Sequence, residues 1–291
     1  MIRNKGQEEG GGEVVIKEKQ VCAVSPEGQQ ACMDLEQFLE VVPPFNGQPV
    51  GQDWILPDGI KLVKSKGSVT VLVYERPPQV HNLKWIASDS PAPFGPGTKY
   101  RTVRIALPYL IVLAAFERAR GSRMQLSQIN ECFFRNTPLK SIKDELFYPA
   151  LLNCSKITTV ADRPLSWICT TKMDVRAVAA EPDENRRVRE SLRALLHCLL
   201  ETGYNHSSEH NEGSSWFTES TGVDPRVSTI EEWEKATARE PLFVLDVPWL
   251  KTGTTLEDAV EQVFRVSGAH RGRVSTARDV MRILFNHAKR S

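Results

Sequence analysis

Long hydrophobic runs are missing from this chain. The longest, residues 105–116, is about a dozen residues and is interrupted by Pro108, whereas a helical bilayer crossing needs roughly 20 apolar residues. No membrane segment is expected. Charge of one sign is missing too. The 37 basic and 36 acidic residues leave a formal +1 on 291 residues, so no overall field draws the chain to nucleic acid or to an acidic surface. Residues 1–12 mix Arg, Lys, Glu and Gly with no apolar stretch, which predicts a frayed tail and no cleaved leader. The six cysteines include no C-x-x-C pair, so no disulfide framework is expected. Cysteine left free suits a reducing compartment, and the expected location is cytoplasmic.

Several catalytic signatures are absent as well. The chain has no G-x-x-x-x-G-K-[ST] loop and no G-x-G-x-x-G following a strand, which argues against nucleotide binding by those routes. It has no G-x-S-x-G elbow for a serine hydrolase. Acidic residues cluster in the first turns of expected helices, where the helix dipole accounts for them. The tryptophans are scattered and form no stacking platform for single strands.

What the chain does have is alternation in its first half and helical periodicity in its second. Leu35, Phe38, Leu39 and Val42 fall at helical spacing, and Pro43-Pro44 ends the element, predicting a helix over 33–42. Asp58-Gly59 and Lys66-Gly67 punctuate β-like runs. Strands are expected at 69–74, 81–87, 100–107 and near 125–135, and the run to Phe116 is either the same strand bent at Pro108 or a further strand. Short turns between successive strands imply an antiparallel meander, because parallel neighbours need long crossovers. Asp183 caps an expected helix over 184–201 with Val188, Leu192, Leu195, Leu196 and Leu199 as its apolar stripe. Ser228-Thr229-Ile230-Glu231 and Thr255 with Asp258 open two more helices. Residues 241–247 read as a strand and 275–289 as a last helix. The expected fold class is α+β: an antiparallel β-meander with an N-terminal helix and C-terminal helices. The expected divisions are 1–12 as tail, 13–203 as the main domain, and 204–291 as a helical extension or small separate unit.

The densest chemistry lies between Phe133 and Met173. It includes Tyr148-Pro149, then Asn153-Cys154, then Ser166-Trp167-Ile168-Cys169. A helix, a meander, a Pro- and Asn-containing loop, a cysteine on an extended segment and then helices, in that order, resemble a ubiquitin-conjugating-enzyme-like core. In particular they resemble the bacterial group called prokaryotic ubiquitin-conjugating-enzyme-like family D, over residues 60–200. Tyr148 stands where the usual motif has His, and three residues separate Pro149 from Asn153. The resemblance implies a cytoplasmic transferase that accepts a ubiquitin-like modifier from an activating-enzyme-like partner as a cysteine thioester and passes it to an amine. It implies Cys169 as nucleophile and Asn153 as the donor to the oxyanion, with Tyr148 and Pro149 in support. The thiolate must be accessible to react, and a fixed N–H must face the developing oxyanion. Lys172 and Arg163 are candidates for an electropositive setting around Cys169, and Cys154, next to Asn153, is a rival nucleophile. Buried core filling is the plain alternative for Cys169.

Two further segments carry signals. His206-Ser207-Ser208-Glu209-His210 matches H-x-x-E-H, but its surroundings have loop composition, so neither a metal nor a cofactor is expected. His206 or His210 could instead carry protons beside Cys169. Residues 268–291 hold six Lys/Arg against Asp279 alone, which suits a solvated helix or a contact with nucleic acid. The competing function is therefore a noncatalytic scaffold or adaptor that binds a protein partner or DNA.

Overall fold

In a computed structural model, the structure describes residues 2–3, 13–17, 19–25, 27–41, 55–86, 97–118, 123–157, 164–170, 173, 178, 180–201, 215–267, 281, 284 and 285. The chain divides into two compact units, Met1–Asp53 with Gly268–Ser291, and Trp54–Ser267.

The smaller unit carries a four-stranded antiparallel sheet in the order β1 (Ile2–Arg3), β2 (Glu13–Lys17), β3 (Gln20–Val24) and β4 (Gln30–Asp34). Helix α1 (Leu35–Val41) follows directly. The helix expected from residue 33 thus starts later, because Ala31 and Met33 alternate with exposed neighbours and bury as strand residues. Val21, Ala23, Ala31, Met33, Phe38 and Leu284 form this unit's core. Cys22 and Cys32 are joined by a disulfide. That corrects the expectation of free cysteines and removes the support it gave to a reducing compartment.

The larger unit is built on an eight-stranded antiparallel sheet. In chain order, β5 (Ile60–Lys66) and β6 (Val69–Arg76) form a hairpin around Gly67, whose φ of 61° suits the turn. Gly59 precedes it at φ 88°, and a Cβ there would sit 2.7 Å from the Tyr74 ring and 2.8 Å from the Glu75 carbonyl oxygen. Only glycine fits. β7 (Gln79–Ile86) and β8 (Tyr100–Leu107) make a separate two-stranded sheet. Pro108 then breaks the ladder, and β9 (Tyr109–Arg118) returns to the large sheet between β6 and β10 (Met124–Arg135). The run 105–116 is therefore two strands in two sheets, since proline cannot donate to a ladder.

β9 is buried at seven of its ten residues, consistent with a central strand covered on both faces. β11 (Glu145–Phe147) pairs β10, β12 (Cys154–Ile157) pairs β13 (Leu165–Ile168), and β13 pairs β10. Helix α2 (Glu184–Leu200) is capped by Asp183, whose side chain accepts from the Arg186 N–H, as the sequence predicts. α3 (Trp216–Ser220) and α4 (Ile230–Arg239, capped by Thr229) follow. β14 (Lys251–Thr255) pairs β11. α5 (Leu256–Val266) opens on a complete Thr255–Asp258 capping box.

Two expectations change here. Pro241–Leu245 is a 3-10 turn rather than a strand: Pro241 has no N–H for a ladder, and the Glu240 side chain accepts from the Leu242 N–H. The division expected near 203 falls elsewhere. Residues 215–267 belong to the sheet-bearing unit, while 268–291 belong to the unit that holds α1. Along β8, the helix α4 occupies the outer edge. The Ala106 N–H donates to Thr237 Oγ1 at 3.0 Å, Trp233 Nε1 donates to the Ala106 carbonyl at 2.9 Å, and Glu234 accepts from the Arg104 N–H at 3.0 Å.

Candidate functional site

The β12–β13 hairpin positions the cysteine chemistry. Its last ladder pair is Cys154 opposite Ile168, and one residue beyond, the Cys169 N–H donates to the Asn153 carbonyl at 2.9 Å. The two residues singled out in the sequence are therefore neighbours. Asn153 is 2% exposed, and its Nδ2 donates to the carbonyls of Cys198 at 3.2 Å and Leu199 at 3.5 Å. Those are among the last carbonyls of α2, which lack intrahelical donors. The amide thus closes a helix end against the hairpin. Cys198 Sγ in turn donates to the Cys169 carbonyl at 3.4 Å.

Cys169 is 5% exposed, and the other free cysteines, Cys132, Cys154 and Cys198, are no more than 1% exposed. Burial pushes the Cys154 thiol well above its ordinary range, and the hydrogen bond that its S–H donates to Cys132 adds to the shift. A thiolate there is strongly disfavoured. Tyr148 stacks on Trp216 with ring centroids 3.5 Å apart, and its hydroxyl donates to the Pro164 carbonyl at 3.1 Å. Trp216 Nε1 donates to the Leu165 carbonyl at 3.2 Å. Pro149 is buried beside Tyr148. This pair braces the start of β13. His206, His210, Arg163 and Lys172 lie outside the described residues, and among those described no cluster of His, Cys, Asp or Glu is arranged to hold a metal.

A second feature was not legible in the sequence. A cleft of about 950 Å³ runs between α2 and the β5–β6 hairpin. Leu56, Pro57, Tyr74, Leu192 and Leu196 supply apolar lining, while the charged lining is mixed, with Arg76, Arg189 and Arg193 beside Asp58, Glu181, Glu190 and Glu201, and with His197. Arg193 pairs with Glu190 and His197 with Glu201. Arg76 and Arg189 make no salt bridge among the described residues. Beside the cleft, Gln79 accepts through its amide oxygen from Arg76 Nη2 at 3.0 Å and from His81 Nε2 at 3.2 Å. Burial, reinforced by the Arg76 charge and opposed by Glu201, lowers His81 to about 4. The ring is neutral at pH 7 and holds its proton on Nε2. The α2 spacing of 189, 192–193 and 196–197 marks a helix face, but nothing local in the sequence names the hairpin that faces it.

Comparison with family models, with curated proteins and with solved structures finds no match.

Proposed function

We propose that this protein is a noncatalytic adaptor, whose α2 cleft receives a segment of a protein partner. The carrying observation is that the Asn153 amide donates to the end of α2 and that Cys169 is 5% exposed. A thioester enzyme needs that thiol open to attack and that amide free to meet an oxyanion. The cleft supports the binding side of the reading. Arg189 and Arg76, the latter also held by Gln79, stand with Asp58 and Glu181 around an apolar floor that would hold side chains of an incoming segment. In this reading the antiparallel run β5–β6–β9–β10, followed by the Asn153–Cys169 junction and α2, is a ubiquitin-conjugating-enzyme-like core that keeps the scaffold without the chemistry.

One observation favours the alternative. Asn153 and Cys169 are joined by a backbone hydrogen bond, so release of the last turn of α2 would free both groups together for thioester transfer from an activating-enzyme-like partner. Alkylation of the native protein, read residue by residue by mass spectrometry, separates the two. The adaptor reading expects Cys169 to label as slowly as Cys154. Labelling of Cys169 on the order of 100-fold faster than Cys154 would overturn it and favour the transferase. For the cleft, anisotropy with a fluorescent peptide carrying acidic, basic and apolar residues should show binding that Arg76→Glu/Arg189→Glu weakens. No binding, or equal binding by the variant, would refute the cleft's role.

A further inference from the structure

The cysteines divide sharply by environment. Four are buried in the larger unit, while Cys22 and Cys32 face each other across β3 and β4 in the smaller one. Alternation explains why this pair is reachable. Val21 and Ala23 on β3, and Ala31 and Met33 on β4, point into the core, so Cys22 and Cys32 point to the opposite face. Cys32 is exposed and Cys22 is half-buried. Their Cα atoms are 4.1 Å apart, the close spacing of a pair that exchanges no ladder hydrogen bonds. Opening the disulfide therefore breaks no backbone bond of the hairpin, and the sheet's core lies on its other side.

We infer that Cys22–Cys32 is a reversible thiol–disulfide site, open to a dithiol reductant while the protein stays folded. One thiolate of the reductant attacks the exposed Cys32 Sγ. The Cys22–Cys32 bond breaks, and its electron pair leaves on Cys22 as a thiolate that takes a proton. The second thiol of the reductant then displaces Cys32, which leaves as a thiolate, and the reductant departs as its own disulfide. Two electrons and two protons pass to the chain. The Gln30 side-chain amide, 3.4 Å from Cys32 Sγ, donates toward that sulfur and favours its thiolate. With the hairpin intact, the two thiols stay at high effective concentration, and an oxidised thiol such as glutathione disulfide closes the bond again. The loop closed is short, with a sequence separation of 10, so the bond restricts the unfolded chain less than one closing a long loop would.

The test uses the full chain. Non-reducing peptide mapping of the air-purified protein should find Cys22 linked to Cys32. Native treatment with dithiothreitol, then alkylation, should modify Cys22 and Cys32 at least about 100-fold faster than Cys132, Cys154, Cys169 and Cys198, whose reaction needs local opening. Replacing dithiothreitol with glutathione disulfide should restore the link without dimers. In a Cys22→Ser variant, Cys32 should label with no reductant added. Absence of the link, a bond that resists reduction until all six cysteines react together, or a Cys32 that stays unlabelled in Cys22→Ser would each overturn the inference.

Discussion

If Asn153 serves the end of α2, replacing it should cost stability. The substitution Asn153→Ala removes the donor of the 3.2 Å bond to the Cys198 carbonyl and of the longer 3.5 Å contact to Leu199. A buried acceptor stripped of its donor costs about 1–3 kcal/mol. The longer contact counts for less, and the small void left behind adds something, so the expected loss is about 2–3 kcal/mol. For a unit of this size that lowers the melting temperature by roughly 4–12 °C. Asn153→Asp should be worse at pH 7, because it places a carboxylate against carbonyl oxygens in a buried site. That carboxyl's folded pKa is raised above its unfolded value, so the extra loss shrinks as pH falls toward 4. Urea titration followed by tryptophan fluorescence isolates the relevant unit, since all six tryptophans lie within Trp54–Ser267. A loss below about 0.5 kcal/mol for Asn153→Ala, within the range of an ordinary surface change, would refute the helix-closing role and reopen the catalytic one.

His81 should make the larger unit less stable as pH falls from about 6.5 toward 4, because the unfolded chain takes up a proton there and the folded ring, at about 4, does not. His81→Gln should flatten that slope in urea titrations at pH 5 and 7, and an unchanged slope would rule His81 out. Thr237→Val should cost about 1–3 kcal/mol and speed amide exchange at Ala106, whose N–H loses its acceptor; unchanged exchange would count against it. Glu261 is held at about 2 by hydrogen bonds from Lys64 and then Lys66, so its contribution is present above about pH 4.5 and lost as pH falls toward 2. Partial exposure limits Glu261→Gln to about 1 kcal/mol or less at pH 7, and an equal effect at pH 2 and pH 7 would contradict the pairing.

The elements that periodicity could reach were legible: β6, β8, β10, α2 with its Asp183 cap, and the Thr255–Asp258 box that opens α5 all follow from local pattern. The strands of the small unit were not, since β2 to β4 are only five residues long each. Neither was the 3-10 turn at Pro241–Leu245, where a run of apolar residues reads as a strand until the missing proline N–H is weighed. At the candidate site, the sequence brought out two residues that meet in space, Asn153 and Cys169. Where the Asn153 amide points depends on α2 arriving 45 residues later, which no local pattern encodes. The cleft has the same origin. Its two walls come from residues near 56–76 and 178–201, and only their tertiary approach makes them one surface.

The small unit's core joins Val21, Ala31 and Met33 to Leu284, residues about 260 positions apart. At roughly 5–20 residues per second, a ribosome takes on the order of 13–52 s to pass from the first contributor to the last. Everything between Trp54 and Ser267 is made in that interval, so the sheet of the larger unit can close while the apolar face of β3 and β4 still lacks Leu284. Synthesis of this protein therefore holds an incomplete hydrophobic surface open for tens of seconds, until Leu284 is made.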